Sequence, residues 1–204
     1  MATIKWEDGW MLTLLRPIAW VNTHVLRVGR HVAWIALALM VVVILAQVFF
    51  RYVLNNALAW PDEAARFLMM WMIALAAPSA MRWGGFVSID IVPDALPRKP
   101  ALILTLALLS VSLVVLVVSV KFGYSHSFGF GGKFDSSSLR IPLDWIGFET
   151  VKVKLRYMYG SLFVCVLLLI SVTVELGLRT LVKLFDPMAE LPGTDAPYTV
   201  MEAE

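Results

Sequence analysis

Four long apolar stretches constrain this chain more than any other feature of its sequence. They cover about residues 32–50, 64–81, 101–120 and 160–178. A stretch of about 20 apolar residues is long enough to cross the hydrocarbon core of a bilayer as a helix. Of the 204 residues, 60% are hydrophobic and only 16% are charged, which argues against a water-soluble domain. We predict an all-α integral membrane protein with a four-helix transmembrane domain over residues 32–178.

The segments that flank the four spans have a different composition. Residues 1–31 mix Trp, Leu and Val with Lys and Arg, a mixture typical of a helix that lies in the headgroup region. We therefore predict an N-terminal interfacial amphipathic helix, broken into two pieces at Pro17. Residues 179–204 form a C-terminal tail that carries Pro and acidic side chains from Asp186 onward, and we expect this part to be mobile.

A long connection joins the third span to the fourth. Residues 123–138 are rich in Gly, Ser, Phe and Tyr, which predicts a loop. Residues 148–159 are predicted to form a helix that leads directly into the fourth span.

The boundaries of the second span carry ordinary helix signals. The pair Asn55-Asn56 is typical of a turn. Pro61, followed by two acidic residues, predicts the start of a helix, because proline fits the first turn and acids complement its positive end. Gly84 and Gly85 are expected to close the helix.

Three charged side chains near this span could form one group. Glu63 and Arg66 are three residues apart and therefore share a helix face, and Arg51 can approach across the short turn. Two interpretations stay open. Either the group is desolvated and anchors the chain to a partner or to its own first span, or it lies exposed at headgroup level with Arg66 extended toward water.

The same region carries a spaced set of residues that points to a family. It contains Arg-Tyr, a short turn, Trp-x-x-Glu-x-x-Arg, a Trp-bearing helix, Arg-x-Gly-Gly and then Asp. This pattern resembles the small membrane (permease) subunit of tripartite ATP-independent periplasmic (TRAP) transporters, the DctQ-like family. Outside this region the resemblance consists of four hydrophobic spans. The matching residues, which we predict to have structural or partner-interface roles, are Arg51, Tyr52, Trp60, Glu63, Arg66, Trp71, Arg82, Gly85 and Asp90.

The resemblance implies a role in transport rather than catalysis. Such a subunit would lie in a bacterial inner membrane and scaffold a large multi-spanning permease subunit that holds the substrate and sodium sites. A periplasmic substrate-binding protein would deliver an organic acid, and import would be sodium-coupled. The resemblance implies no cofactor in this chain, because sodium is expected to bind the large subunit.

The polar residues support the same interpretation. The spans offer few ionisable or amide side chains, so we predict no catalytic, substrate-binding or metal-binding residues in this chain. A net charge of +2 gives no reason to expect nucleic acid, and membrane lipids are the expected surroundings.

Two alternatives come from other functional classes. A membrane anchor of a quinone or haem redox complex would need paired histidines on two spans, but His24 and His31 share one helix face and the last three spans hold none. A small channel or receptor would need an oligomer lined by polar residues.

Membrane orientation follows the distribution of Lys and Arg. Four spans place both termini on the same side. Basic residues before the first span and in the loop 82–100 favour cytoplasmic termini, whereas those in residues 121–156 argue against this orientation. The family resemblance also implies cytoplasmic termini, and we predict that orientation.

Overall fold

Four long helices dominate the computed structural model, which describes residues 10–56, 58–84, 96–129, 133–141, 151–185 and 191–195. The helices are α1 (Trp10–Tyr52), α2 (Trp60–Arg82), α3 (Arg98–Phe128) and α4 (Arg156–Phe185). Between α3 and α4 in the sequence lie the antiparallel strands β1 (Asp135–Ile141) and β2 (Val151–Lys154). All four helices are long and apolar enough to cross a membrane, which confirms the predicted all-α membrane fold.

Helix α1 is one continuous helix of 43 residues. The break predicted at Pro17 is wrong, because this proline lies inside α1. Residues 10–31 continue directly into the first span, so a separate interfacial helix is not seen. Proline removes one backbone hydrogen bond from a helix. Burial of Leu15 and Ala19 on either side of Pro17 supplies packing that holds the helix together.

A buried stripe runs along α1. Its members alternate four and three residues apart, and they are Leu15, Ala19, Asn22, Leu26, Gly29, Ala33 and Ala36. A repeat of about 3.5 residues marks the contact line of helices packed with a left-handed twist. Small residues on such a line let backbones approach closely. At Gly29 a Cβ atom would lie 3.4 Å from the carbonyl oxygen of Leu75 in α2.

The turn before α2 and the ends of α2 agree with the predictions. Asn55 has a positive φ of 51°, which asparagine tolerates better than most residues, so the chain turns here. Helix α2 begins at Trp60 and has Asp62 and Glu63 in its first turn. It ends at Arg82, and Gly84 follows with a φ of 77° in the left-handed region that favours glycine.

The chain forms two compact units. One contains Met1–Arg27, Pro78–Val117 and Leu168–Glu204, and the other contains Val28–Ala77 and Val118–Leu167. Among the helices, α4 is the most buried and α3 the least.

The segment between the third and fourth spans differs from its prediction. Helix α3 extends to Phe128, and strand β1 follows from Asp135, so residues 123–138 are not simply a loop. Gly123 lies inside α3, and Phe163 of α4 packs against it. A Cβ atom at Gly123 would lie 3.3 Å from the Phe163 ring. The helix predicted over residues 148–159 is wrong for residues 151–154, which form β2, whereas residues 156–159 belong to α4. Residues 148–150 lie outside the described residues. The alternation Val-Lys-Val-Lys in β2 is typical of a strand.

Part of the tail is held in place. Arg179 and the rest of its turn belong to α4, and residues 191–195 return to contact two helices. Arg179 donates to the carbonyl oxygen of Pro192, and Arg27 pairs with Asp195 at 3.1 Å. The expected mobility of the tail stays a prediction.

Candidate functional site

A carboxylate is buried in the second half of α4. Glu175 is completely inaccessible to solvent, although the helix around it is apolar. An isolated charge in such surroundings is strongly unfavourable, so buried carboxylates are paired with cations or hydrogen-bond donors. Glu175 has three such partners, which come from α1, α2 and α4 itself.

The first partner is Arg82, the last residue of α2. Its Nη2 atom lies 2.8 Å and its Nε atom 3.2 Å from Oε1 of Glu175. The two side chains are 1% and 0% exposed. The guanidinium also donates to the hydroxyl of Thr23 at 2.8 Å and to the carbonyl oxygen of Ala19 at 3.1 Å. Arg82 therefore links α2 to both α4 and α1.

The second partner is Arg179, one helical turn after Glu175. Its Nη2 and Nε atoms lie 2.7 and 2.9 Å from the same Oε1 atom. Its Nη1 atom donates to the carbonyl oxygen of Pro192 at 2.7 Å. The side chain is 10% exposed, so it reaches the edge of the buried region.

The third partner is Asn22 of α1. Its Nδ2 atom donates to Oε2 of Glu175 at 2.8 Å, and its Oδ1 atom accepts a hydrogen bond from the Ser171 hydroxyl at 2.6 Å. The four side chains of Asn22, Arg82, Glu175 and Arg179 are called the charge cluster below. The cluster explains why a polar residue, Asn22, lies in the otherwise apolar stripe of α1.

The cluster has the chemistry of a structural clamp. Both carboxylate oxygens of Glu175 accept hydrogen bonds, and the hydrogen bonds of Arg82 are shared among Glu175, Thr23 and Ala19. Two guanidinium groups face one carboxylate, so the cluster carries one excess positive charge. Because its members bond one another across three helices, the cluster fixes the relative rotation of the parts of α1, α2 and α4 that belong to the first compact unit.

Three of the residues selected from the sequence, Arg82, Trp71 and Glu63, form hydrogen bonds between elements. Arg82 lies in the charge cluster. Trp71, in the middle of α2, donates its indole Nε1–H to the carbonyl oxygen of Tyr157 in α4 at 3.1 Å. This contact connects α2 to the first turn of α4.

Glu63, Arg66 and Arg51 are not brought together. The carboxylate of Glu63 accepts a hydrogen bond from the hydroxyl of Ser136 in β1. No ion pair joins Glu63 to either arginine in the described part of the chain, and both arginines are exposed. The guanidinium of Arg51 instead lies 6.0 Å from the ring centre of Tyr52. The predicted three-member group is therefore not formed within the chain.

The remaining selected residues divide into two groups. Tyr52 and Trp60 are 73% and 41% exposed, close to the turn between α1 and α2. Gly85 and Asp90 lie outside the described residues. The partner-interface roles of all nine residues stay predictions.

The charge cluster was not predicted from the sequence as a group. A signal was present, because Glu175 and Arg179 are four residues apart in an apolar helix and share one face. One carboxylate and one arginine on a spanning helix call for polar partners on neighbouring helices. The partners Asn22 and Arg82 are 153 and 93 residues away from Glu175, and no local pattern links them to it.

Two of the three histidines, His24 and His126, form hydrogen bonds within their own helices. The Nδ1 atoms of His24 and His126 each donate to a backbone carbonyl four residues earlier in the same helix, at 2.9 and 3.0 Å. Within the described ranges, no group of three His, Cys, Asp or Glu side chains is placed to hold a metal ion. These contacts give the haem alternative no support.

Comparison with known proteins assigns the chain to a family. Over 113 residues it is 30% identical to the sialic acid TRAP transporter small permease protein SiaQ of Vibrio cholerae, a match that covers 55% of this chain and 65% of that protein. The chain thus spans slightly less than two thirds of its relative's length. No solved structure matches. Residues 40–181 match the family described as the DctQ component of tripartite ATP-independent periplasmic transporters. Because this match covers more than half of the chain, the protein belongs to the DctQ family of TRAP transporter components.

Proposed function

We propose that this chain is the small permease subunit of a sodium-coupled TRAP transporter that imports an organic acid across a bacterial inner membrane. Its partners are a large multi-spanning permease subunit and a periplasmic substrate-binding protein. Family membership supports this assignment, as does the relative whose name refers to the transport of sialic acid.

In this proposal the chain is a scaffold rather than the substrate pathway. The observation that supports it is the charge cluster, whose polar atoms bond one another and tie helices together. Substrate and sodium sites need polar groups left open to the solute. We assign both sites to the large subunit.

The surface of α1 is suited to a protein partner within the membrane. Outside its buried stripe, large apolar side chains are exposed along the helix, including Val25, Val32, Leu39 and Val42. Arg51 and Arg66 are exposed near the turn that joins α1 to α2. We propose that the large subunit covers part of this surface and pairs with one or both arginines.

Transport in proteoliposomes tests the scaffold role. We expect sodium-driven uptake of the organic acid only when this chain, the large subunit and the binding protein are all present. Liposomes that contain this chain alone should take up no more solute than empty ones, because the proposal assigns the substrate and sodium sites to the large subunit. The measurement is uptake of radiolabelled solute with and without a sodium gradient.

Two outcomes would contradict the proposal. Sodium-driven uptake by this chain alone would place the substrate pathway in it. A purified native complex that shows haem absorbance, or that contains a quinone-linked enzyme in place of a large permease subunit, would support the redox alternative instead.

Membrane orientation is a second prediction. We propose that both termini are cytoplasmic, as the basic residues before the apolar span 32–50 indicate. The test uses single cysteines at the exposed positions Lys133 and Gly193 in a Cys165→Ser background. In whole cells an impermeant thiol reagent should label the cysteine at 133 and should reach that at 193 only after permeabilisation. The reverse pattern would invert the orientation.

A further inference from the structure

Strand β2 and the first residue of α4 present a row of cations. Exposure alternates along this segment: Lys152, Lys154 and Arg156 are exposed, whereas Val153 and Leu155 are partly buried. The two apolar residues line a recess together with Phe67 of α2 and other residues. Lys154 also contributes to the wall of this recess, as does Glu63. The three cations are called the basic row below.

The basic row forms no ion pair in the described part of the chain, although Asp135 of β1 lies across the sheet from Lys154. Side chains two residues apart on a strand are about 7 Å apart, so Lys152 and Lys154 are close to each other. Arg156 follows two residues later, at the start of α4. Lys133, just before β1, is a further exposed cation in the same connection. Such a surface favours a ligand with several negative charges.

Exposed aromatic side chains border the basic row. The guanidinium of Arg156 lies 5.3 Å from the ring centre of Phe128, the last residue of α3. Tyr124 stacks near Phe128 at 5.0 Å between ring centres. Tyr124, Phe128 and Tyr157 are 59%, 50% and 55% exposed. Aromatic rings with this exposure are typical of the boundary between membrane and water.

The length of α4 places the row at the level of the lipid headgroups. The helix has 30 residues, which corresponds to about 45 Å. A bilayer is about 40–45 Å thick when its headgroups are included. A helix that crosses it therefore begins among the headgroups, and Arg156 is the first residue of α4.

We propose that the basic row, with Tyr124 and Phe128 beside it, is a binding site for the headgroups of anionic phospholipids. The phosphates would accept hydrogen bonds from Lys152, Lys154 and Arg156, and the aromatic rings would contact the upper acyl chains. A lipid is favoured over an acidic soluble protein because the row is continuous with a spanning helix and lies beside exposed membrane-boundary aromatics. The proposal does not depend on which substrate the transporter carries.

Lipid retention by the purified full chain tests the site. Native mass spectrometry would count bound phosphatidylglycerol and bound phosphatidylcholine with the same acyl chains. The unmodified chain should prefer phosphatidylglycerol. In the variant Lys152→Gln/Lys154→Gln/Arg156→Gln this preference should fall by at least about tenfold, because each of the three cations near an anionic lipid contributes a several-fold gain.

Two variants separate a built site from general attraction. Arg16→Gln/Lys99→Gln/Lys183→Gln removes the same charge at exposed positions elsewhere and should keep the preference. Lys152→Arg/Lys154→Arg/Arg156→Lys keeps the charge and should also keep it. Thermal unfolding of each variant checks that the fold is intact.

Three results would overturn the proposal. The first is an equal loss in both Gln variants, which would show that only net charge matters. The second is the absence of any preference for phosphatidylglycerol in the unmodified chain. The third is an unchanged preference in the row variant, which is the result expected if an acidic protein were the true occupant.

Discussion

Glu175→Leu is expected to destabilise the folded chain by about 3–5 kcal/mol, the range typical when one partner of a buried ion pair is removed. The change leaves Arg82 and Arg179 as two buried positive charges without the carboxylate that holds both. Glu175→Gln should cost nearly as much, because it preserves size and hydrogen bonding but not the negative charge. The measurement is thermal unfolding in detergent, followed by the loss of the monodisperse peak in size-exclusion chromatography.

The arginine variants should be milder, and this ranking is the sharper test. Arg179→Leu or Arg82→Leu leaves one arginine paired with Glu175, so the remaining cluster is neutral. Arg179→Leu should cost least, because its side chain is 10% exposed while that of Arg82 is 1% exposed. Lys183→Leu, at an exposed position on the same helix, is the control and should change stability little. An Arg179→Leu variant as unstable as Glu175→Leu would contradict the charge argument.

Gly29→Leu is expected to have the next largest effect, a loss of about 1–3 kcal/mol from overpacking. A Cβ at this position would already lie 3.4 Å from the carbonyl oxygen and 3.8 Å from the side chain of Leu75, so a larger side chain must push α1 and α2 apart. Gly29→Ala should be close to neutral. Its tight contact is offset by the better helix propensity of alanine, worth about 1 kcal/mol.

A matched control exists in α4. A Cβ atom at Gly177 would meet no atom within 4 Å, so Gly177→Leu should be tolerated. Thermal unfolding of the three variants and the unmodified chain gives the comparison. Equal effects of Gly29→Leu and Gly177→Leu would show that close packing of α1 on α2 is not the cause.

The sequence predicted the elements of this fold better than their contacts. The four spans could be predicted because each is a long apolar run, and the start of α2 because Pro61 and its acidic neighbours have strong local preferences. The stripe of α1 could not be predicted from hydrophobicity, because side chains that face lipid and side chains that face helices are equally apolar. Only small residues such as Gly29 and Ala33 mark the packed side.

The charge cluster and the two strands were not predicted from the sequence, for different reasons. Formation of the cluster depends on how α1, α2 and α4 are rotated, and nothing near Asn22 or Arg82 in the sequence specifies that rotation. The strands were not predicted because the amino-acid composition around them is typical of other structures. Glycine and serine around β1 gave a loop prediction, and the short alternation in β2 was absorbed into a predicted helix, although Val153 and Leu155 follow a period of two.

The charge cluster can form only after α4 has been synthesised. Arg82 is synthesised 93 residues before Glu175, and Asn22 precedes Glu175 by 153 residues. Throughout this interval Arg82 is present in the growing chain without Glu175, the carboxylate with which it pairs. Synthesis of α4 supplies Glu175 and Arg179 almost together, since they are four residues apart. The last helix is thus the element that completes the cluster, and a chain that stops after α3 leaves Arg82 without Glu175.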